Sequence, residues 1–286
     1  MIFLWISILC STLIYLTFKL RKPFNANLSG MIIINYLVAT ILGFSIHQNP
    51  ISLSKIVLAE WFPLAALIGL LFVVMFLLIG WSSEKAGIAV TSIATRMSMV
   101  IPILFSMFLF DEVINVSKIV KISIAFIAVV LAIYHQPEKN TKPVYAFLPL
   151  ILFIGSGSVD TLVKAAQHLF IPVNEIEIFS SSLFGISLIA SLGLFFTKKK
   201  EEHFFTRNSL IMGVLLGFFN FGSLFFLINA LNKSGLESSL VFGINNLTIV
   251  CLSLVLGYFF FKEKLTRINW MGIILSIICI ILLIQF

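Results

Sequence analysis

A single basic side chain, Arg96, stands in the middle of a long apolar run. The run extends from Gly87 to Glu112, which is long enough to cross a bilayer. Arg96 comes nine residues after Gly87, which at helical rise places it roughly 13–14 Å into a core about 30 Å thick. A charge there costs about 3 kcal/mol on insertion scales and usually marks a site. We expect the guanidinium to bind a carboxylate or another anion through charge-assisted bonds, the alternative being that it caps helix carbonyls.

A second run repeats this pattern with neutral polar residues. It extends from Gly235 to Glu263. Asn245 and Asn246 follow Gly235 by ten and eleven residues, close to the nine residues that separate Arg96 from Gly87. Asn245 therefore lies roughly 15 Å deep from the opposite face. The spacing predicts that both amides meet Arg96 near the midplane and bind substrate, unless they only join helices to each other.

Further polar side chains inside or beside apolar runs are candidates for the same site. The candidate lining residues are Tyr15, Asn35, Trp81 and Asn220. Asp160 is the only acid more than about two residues inside a run, so it carries the hypothesis of proton coupling. Its alternative is a structural ion pair with Lys164, one helical turn away. No phosphate-binding loop and no metal-ligand motif occurs, so we predict no cofactor, no metal and no direct ATP drive.

The composition excludes an ordinary soluble domain, because 60% of the residues are hydrophobic and only 11% are charged. The basic residues lie in connectors between apolar runs, which predicts a lipid bilayer and not a nucleic acid as the surroundings. A spanning helix needs roughly 20 apolar residues. We predict an all-α integral membrane protein of ten transmembrane helices at 2–18, 28–46, 61–80, 87–110, 117–135, 144–163, 175–196, 208–231, 236–261 and 267–285.

The two halves of the chain repeat each other. Residues 1–137 and 143–286 each hold five predicted spans, and an offset of 148 maps Gly69 onto Gly217. Five spans is an odd number, so the halves must enter the membrane from opposite sides. Two inverted five-helix repeats are the design of many secondary transporters.

The basic residues of the short loops predict the orientation. The loops on one side hold thirteen Lys and Arg residues and those on the other side hold five. Since cytoplasmic loops carry the excess, we expect both termini outside the cell in a plasma (inner) membrane protein.

Two segments resemble a known family. The sequences FDEVINVSK (110–118) and FKEKLTRINWMG (261–272), with NKSGLESSL (232–240), are similar to the EamA branch of the drug/metabolite transporter superfamily. The resemblance implies a ten-helix basket with a central cavity lined mainly by the third, fourth, eighth and ninth spans. It also implies amino-acid-like substrates.

We therefore predict a secondary transporter that exports small polar metabolites, such as amino acids, by alternating access through a central cavity. One alternative is efflux of drugs or cationic compounds, which a deep carboxylate would favour, and only Asp160 offers one. Another is a structural or interaction membrane protein, which would not need Arg96 inside a span. An enzyme is not predicted, because the spans hold neither paired aspartates nor a serine with a buried histidine. The sequence does not determine the oligomeric state.

Overall fold

The computed structural model describes residues 1–21, 23–47, 53–85, 94–95, 97–109, 116–133, 147–197, 204–261 and 266–284. The regular elements in these ranges are helices. The α-helices are α1 (Ile2–Leu20), α2 (Leu28–Ile46), α3 (Leu53–Leu58), α4 (Phe62–Lys85), α5 (Val100–Leu109), α6 (Val116–Ile133), α7 (Phe147–Leu169), α8 (Ile176–Thr197), α9 (Arg207–Lys233), α10 (Ser238–Phe261) and α11 (Arg267–Ile284). A 3₁₀ turn, Val173–Glu175, precedes α8.

The predicted all-helical class is confirmed for the described residues, and each predicted span overlaps a helix there, the fourth only over Val100–Leu109. Within the described ranges, five segments are long and apolar enough to cross a membrane: Ile2–Leu20, Leu28–Ile46, Phe62–Ile79, Val173–Gly193 and Arg207–Lys233. The arrangement as ten spans in two inverted repeats stays a prediction. Helix α3 was not predicted, since six residues with one buried side chain, Ile56, are too short for a periodic pattern.

The structure divides into two compact units that interleave the halves of the sequence. Unit 1 comprises Met1–Phe76 and Leu162–Ser234, and unit 2 comprises Leu77–Thr161 and Gly235–Phe286. In unit 1, α9 packs against α1, α2 and α8, and α2 also packs against α8. In unit 2, α10 packs against α5, α6 and α11, and α6 packs against α11. Each unit therefore contains helices from both predicted repeats, and the repeat boundary between 137 and 143 stays a prediction about the sequence.

The first turns of α2 and α9 are tied together. Asn27 caps α2 by accepting a hydrogen bond from the Gly30 amide at 3.1 Å, and its own amide donates to Ser209 Oγ at 2.7 Å. Thr206 caps α9 by accepting from the Ser209 amide at 3.1 Å. Such caps satisfy amides that a helix leaves unpaired at its start. Here they also hold α2 and α9 side by side.

Two glycines in unit 1 allow helices to approach each other closely. A Cβ on Gly217 of α9 would lie 2.7 Å from the Asn35 carbonyl oxygen of α2, and a Cβ on Gly69 of α4 would lie 2.7 Å from the Leu183 carbonyl oxygen of α8. The two contacts correspond, because the offset that maps Gly69 onto Gly217 also maps Asn35 onto Leu183 (183 minus 35 is 148).

One further contact joins residues separated by the same offset. Tyr36 and Phe184 are 148 positions apart, and their ring centroids are 6.3 Å apart. If the two halves are related by a two-fold axis, a residue that contacts its own counterpart is expected to lie near that axis. This contact and the paired glycine contacts are the pattern that a two-fold repeat predicts.

A buried tryptophan joins two connecting segments of unit 1. The Trp61 side chain is 2% exposed, its Nε1 donates to Glu175 Oε2 at 2.6 Å, and its ring meets Phe179 edge-on at 5.7 Å. The segment before α4 is thereby tied to the turn before α8. The sequence did not predict this bond, since a tryptophan at the end of an apolar run is typical of a membrane interface.

Candidate functional site

Several polar atoms inside the helices are buried without a hydrogen-bond partner among the described residues. In unit 1 they are Asn35 Nδ2, Tyr36 OH, Ser180 Oγ and Ser182 Oγ, and in unit 2 they are Asn245 Oδ1, Thr248 Oγ1 and Ser253 Oγ. Leaving such an atom unpaired costs about 1–3 kcal/mol. Unpaired buried groups are few in native proteins, so those on a spanning helix identify candidate binding positions.

The structure brings two of the predicted lining residues together in unit 1. Asn220 Nδ2 on α9 donates to Asn35 Oδ1 on α2 at 3.1 Å. Asn35 is fully buried and Asn220 is 5% exposed. This bond occupies the side-chain oxygen of Asn35, whereas its side-chain nitrogen, a hydrogen-bond donor, has no partner among the described residues.

Tyr36 is a polar residue of unit 1 that sequence reasoning missed. Its side chain is fully buried and contacts Phe76 and Phe184, with ring centroids 5.8 and 6.3 Å away. Its hydroxyl has no partner in the described part of the chain, although buried tyrosine hydroxyls usually find one. By sequence pattern, a tyrosine within an apolar run looks the same whether it binds a ligand or only fills the core. The sequence therefore gave no signal that Tyr36 differs from a core residue.

The predicted repeat allows these polar residues to be compared with the residues at the equivalent positions. At the offset of 148, each polar residue of the Asn35, Tyr36 and Asn220 set has an apolar counterpart. The counterparts are Leu183, Phe184 and Phe72. Leu183 and Phe184 are as completely buried as Asn35 and Tyr36, and the rings of Phe72 and Phe184 lie 5.9 Å apart. Leucine and phenylalanine therefore occupy the positions that are equivalent to Asn35, Tyr36 and Asn220 in the predicted repeat.

Helix α10 carries the predicted amides of unit 2. Residues 241–250 are all buried, which is typical of a helix surrounded by others. Asn246 donates its amide to the Phe242 carbonyl at 3.1 Å. Asn245 Oδ1 and Thr248 Oγ1 lack partners among the described residues. Thr248 was not predicted, because threonines inside helices normally bond to their own backbone.

The other predicted residues are placed less completely. Arg96 lies outside the described residues, and Trp81 lies on α4 with a side chain that is also outside them. Tyr15 is half-buried on α1 and Asp160 is half-buried on α7. Tyr15, Asn35 and Asn220 belong to unit 1, whereas Asn245, Asn246 and Asp160 belong to unit 2. That all of these residues form one site stays a prediction.

A buried lysine in unit 1 is part of a second polar network. The Lys164 side chain is 5% exposed, and its ammonium donates to Gln167 Oε1 at 2.8 Å. Gln167 Nε2 donates in turn to Asn232 Oδ1 at 2.8 Å. The network ties the last turns of α7 to the end of α9. The pairing of Lys164 with Asp160 stays a prediction.

No group of three His, Cys, Asp or Glu side chains in the described ranges is arranged to hold a metal ion. The polar atoms above are amides, hydroxyls and an ammonium. They suit hydrogen bonding to a small solute in a site closed to water.

Apolar helices of spanning length, with polar atoms buried among them, define a multi-pass integral membrane protein. Residues 144–285 match the EamA-like transporter family. This half of the chain belongs to the family, which is part of the drug/metabolite transporter superfamily, and the match identifies the protein as a membrane transporter.

Two similar proteins cover nearly the whole chain. An uncharacterized protein of Haemophilus influenzae is 28% identical over 278 residues, which are 95% of this chain and 93% of that protein. A crystal structure of a protein with 12% sequence identity superposes with a TM-score of 0.74, covering 99% of this chain and 98% of the other. At that identity the likeness concerns the fold alone.

Proposed function

We propose that this transporter is a secondary carrier that exports small polar metabolites, such as amino acids, by alternating access. The observation that carries the proposal is the set of buried, unpaired polar atoms on apolar helices, above all Asn35 Nδ2 and Asn245 Oδ1. A polar solute would complete their hydrogen bonds. The substrate class itself rests on the family resemblance.

The proposal includes the architecture of ten spanning helices in two inverted repeats, over residues 1–137 and 143–286. Two findings support it: the matching contacts of Gly69 and Gly217 with carbonyl oxygens, both at 2.7 Å, and the contact between Tyr36 and Phe184. Inverted repeats provide two alternative packings of one set of helices, which is the basis of alternating access.

The proposed substrate site consists of the residues that the sequence singled out, with Tyr36 added. They are Arg96, Asn245, Asn246, Trp81, Asn35, Asn220 and Tyr15. Asp160 is proposed as the proton-coupling carboxylate.

Exchange in proteoliposomes tests the function. Vesicles that hold the purified protein and one unlabelled amino acid should take up the same labelled amino acid, with a panel of amino acids identifying the substrate. Asn35→Leu introduces the residue found at the equivalent position of the other predicted repeat and should reduce exchange about tenfold. A tenfold loss corresponds to about 1.4 kcal/mol, which is the contribution expected of one hydrogen bond.

The matched control is Asn229→Leu. Asn229 is also buried on a helix, but its amide donates to its own backbone, at the Phe225 carbonyl, 3.0 Å away, so its replacement should leave exchange unchanged. Absence of exchange for every amino acid, with uptake of a lipophilic cation by the same vesicles, would instead support drug efflux. The same vesicles test coupling, since Asp160→Asn should retain exchange and lose accumulation driven by a pH gradient.

The proposed orientation places both termini outside the cell in the plasma (inner) membrane. A reporter that is active only in the cytoplasm should give no signal when fused after Phe286. The same reporter inserted in the basic connector at 198–206 should be active, because the excess of Lys and Arg predicts a cytoplasmic loop there. The reverse result would invert the orientation.

A further inference from the structure

We infer that Asn245 Oδ1 and Thr248 Oγ1 form an acceptor pair on α10 that binds a compact monovalent cation, either the ammonium group of the transported solute or a sodium ion. The inference rests on the proposed function and adds Thr248 to its site.

The hydroxyl of Thr248 is exceptional among comparable threonines. Those within helices elsewhere donate to the carbonyl four residues earlier, at 2.7–2.8 Å. They are Thr12, Thr17, Thr40 and Thr161. Thr248 lies inside a helix as they do and is 7% exposed, yet its hydroxyl makes no such bond. Its oxygen is therefore not committed to the helix backbone.

The side-chain oxygen of Asn245 also lacks a partner among the described residues, whereas three other asparagines on helices are bonded to their own backbone. Asn229, Asn232 and Asn246 donate their amides to the carbonyl four residues earlier, at 3.0, 3.2 and 3.1 Å. Asn245 is 6% exposed, and its side-chain oxygen has no donor among the described residues. If these atoms served to join helices, each would have a partner on a neighbouring helix.

The spacing places the two oxygens on one face of α10. Residues three apart are neighbours on a helix surface, separated by roughly 4.5 Å of rise. Two oxygens side by side, inside a stretch in which all ten residues of 241–250 are buried, form a small acceptor site in a low dielectric. Hydrogen bonds from a charged donor are the stronger kind in such surroundings.

The chemistry of the pair limits the ligand. An anion would be repelled by the Asn245 oxygen, which can only accept, and a divalent cation would require carboxylates. A quaternary cation is bulky and has no N–H to donate. A primary ammonium can donate to both oxygens, and sodium accepts neutral oxygen ligands. An ammonium here would complement the carboxylate that Arg96 is predicted to bind, and both groups together are those of an amino acid.

Thermal unfolding of the purified full-length protein tests the inference. One arm compares sodium chloride with choline chloride at equal ionic strength, and the other compares a panel of L-amino acids with the matching 2-hydroxy acids, which lack the ammonium. In one of the two arms the wild type should be stabilised. Thr248→Val and Asn245→Leu should weaken the apparent affinity about tenfold, as expected for one charge-assisted hydrogen bond.

Matched controls separate binding from packing. Thr12→Val and Asn229→Leu alter side chains that bond to their own helix, so they should keep the ligand-induced shift although Thr12→Val lowers the Tm without ligand. Thr248→Val should not lower that Tm, because its hydroxyl makes no bond that is lost. If Asn245→Leu does not fold, Thr248→Val alone still tests whether the acceptor pair binds the ligand.

Two results would overturn the inference: a ligand-induced shift that survives Thr248→Val, as a bridging water would allow, or no shift of the wild type in either arm. Exchange assays on the same variants separate this failure from failure of the proposed function. If the wild type and Thr248→Val exchange amino acids equally fast, only the acceptor pair is wrong. If the wild type exchanges none, the proposed function is wrong as well.

Discussion

Replacing Gly217 with leucine is expected to prevent unit 1 from folding stably. A Cβ at this position would lie 2.7 Å from both the Asn35 carbonyl oxygen and Val38 Cβ, and neither the backbone nor a β-branched side chain of α2 can yield easily. Overpacking of this kind costs about 3 kcal/mol or more when backbones must separate. The same shift would break the hydrogen bond between Asn35 and Asn220, 3.1 Å long. Recovery of monodisperse protein and its Tm in detergent should both fall sharply.

Another glycine on a helix of the same unit provides the control. Gly193 on α8 has no atom within 4 Å of a Cβ built on it, so Gly193→Leu should express and unfold like the wild type. Gly69→Leu should be as damaging as Gly217→Leu, because its contact with the Leu183 carbonyl is the counterpart in the other repeat. Equal stability of the Gly217 and Gly193 variants would refute the packing argument, and tolerance of Gly69→Leu would refute the equivalence.

Replacing Arg96 with glutamine is expected to abolish exchange of carboxylate substrates. Arg96 lies near the middle of its apolar run, and no acid occurs in that run before Asp111. An unpaired guanidinium in a low dielectric is costly, so an anionic group should bind there with charge-assisted bonds. Arg96→Lys keeps the charge and loses the planar fork, so it should weaken exchange without abolishing it.

Folding should survive both substitutions of Arg96, since glutamine lowers the cost of insertion by about 3 kcal/mol and lysine leaves the charge unchanged. Exchange and Tm are therefore measured on the same purified variants. Arg207→Gln, at an exposed residue in the first turn of α9, is the control and should exchange normally. Unchanged exchange by Arg96→Gln, or loss of the fold with it, would contradict the assignment of Arg96 to the site.

The helices could be predicted from the sequence because in a bilayer the constraint is local. No water is present to satisfy backbone groups, so an apolar run of spanning length must form its own backbone hydrogen bonds. The helical class follows from this argument. The bounds differ from the predicted spans by a few residues, as at α7, which ends at Leu169 and not near 163. Helix ends depend on caps and contacts outside the apolar run.

Which helices pack together was decided by tertiary structure. The predicted repeats meet between 137 and 143, but the compact units combine Met1–Phe76 with Leu162–Ser234 and Leu77–Thr161 with Gly235–Phe286. A repeat in sequence specifies which residues are equivalent and does not specify their neighbours. Contacts such as Gly217 with Asn35, made across 182 positions, arise only when the helices are assembled.

Some residues of the candidate site could be identified from the sequence, and others only from the packed structure. Sequence alone identified Asn35, Asn220 and Asn245, because an amide inside an apolar run stands out by type. It could not identify Tyr36 or Thr248, since both residues are ordinary in buried helices and only the missing hydrogen bonds distinguish them. Whether a polar atom has a partner depends on what the facing helix presents, as the bond between Asn220 and Asn35 shows. That is a property of the packed structure, whereas residue type and helical periodicity are properties of the chain.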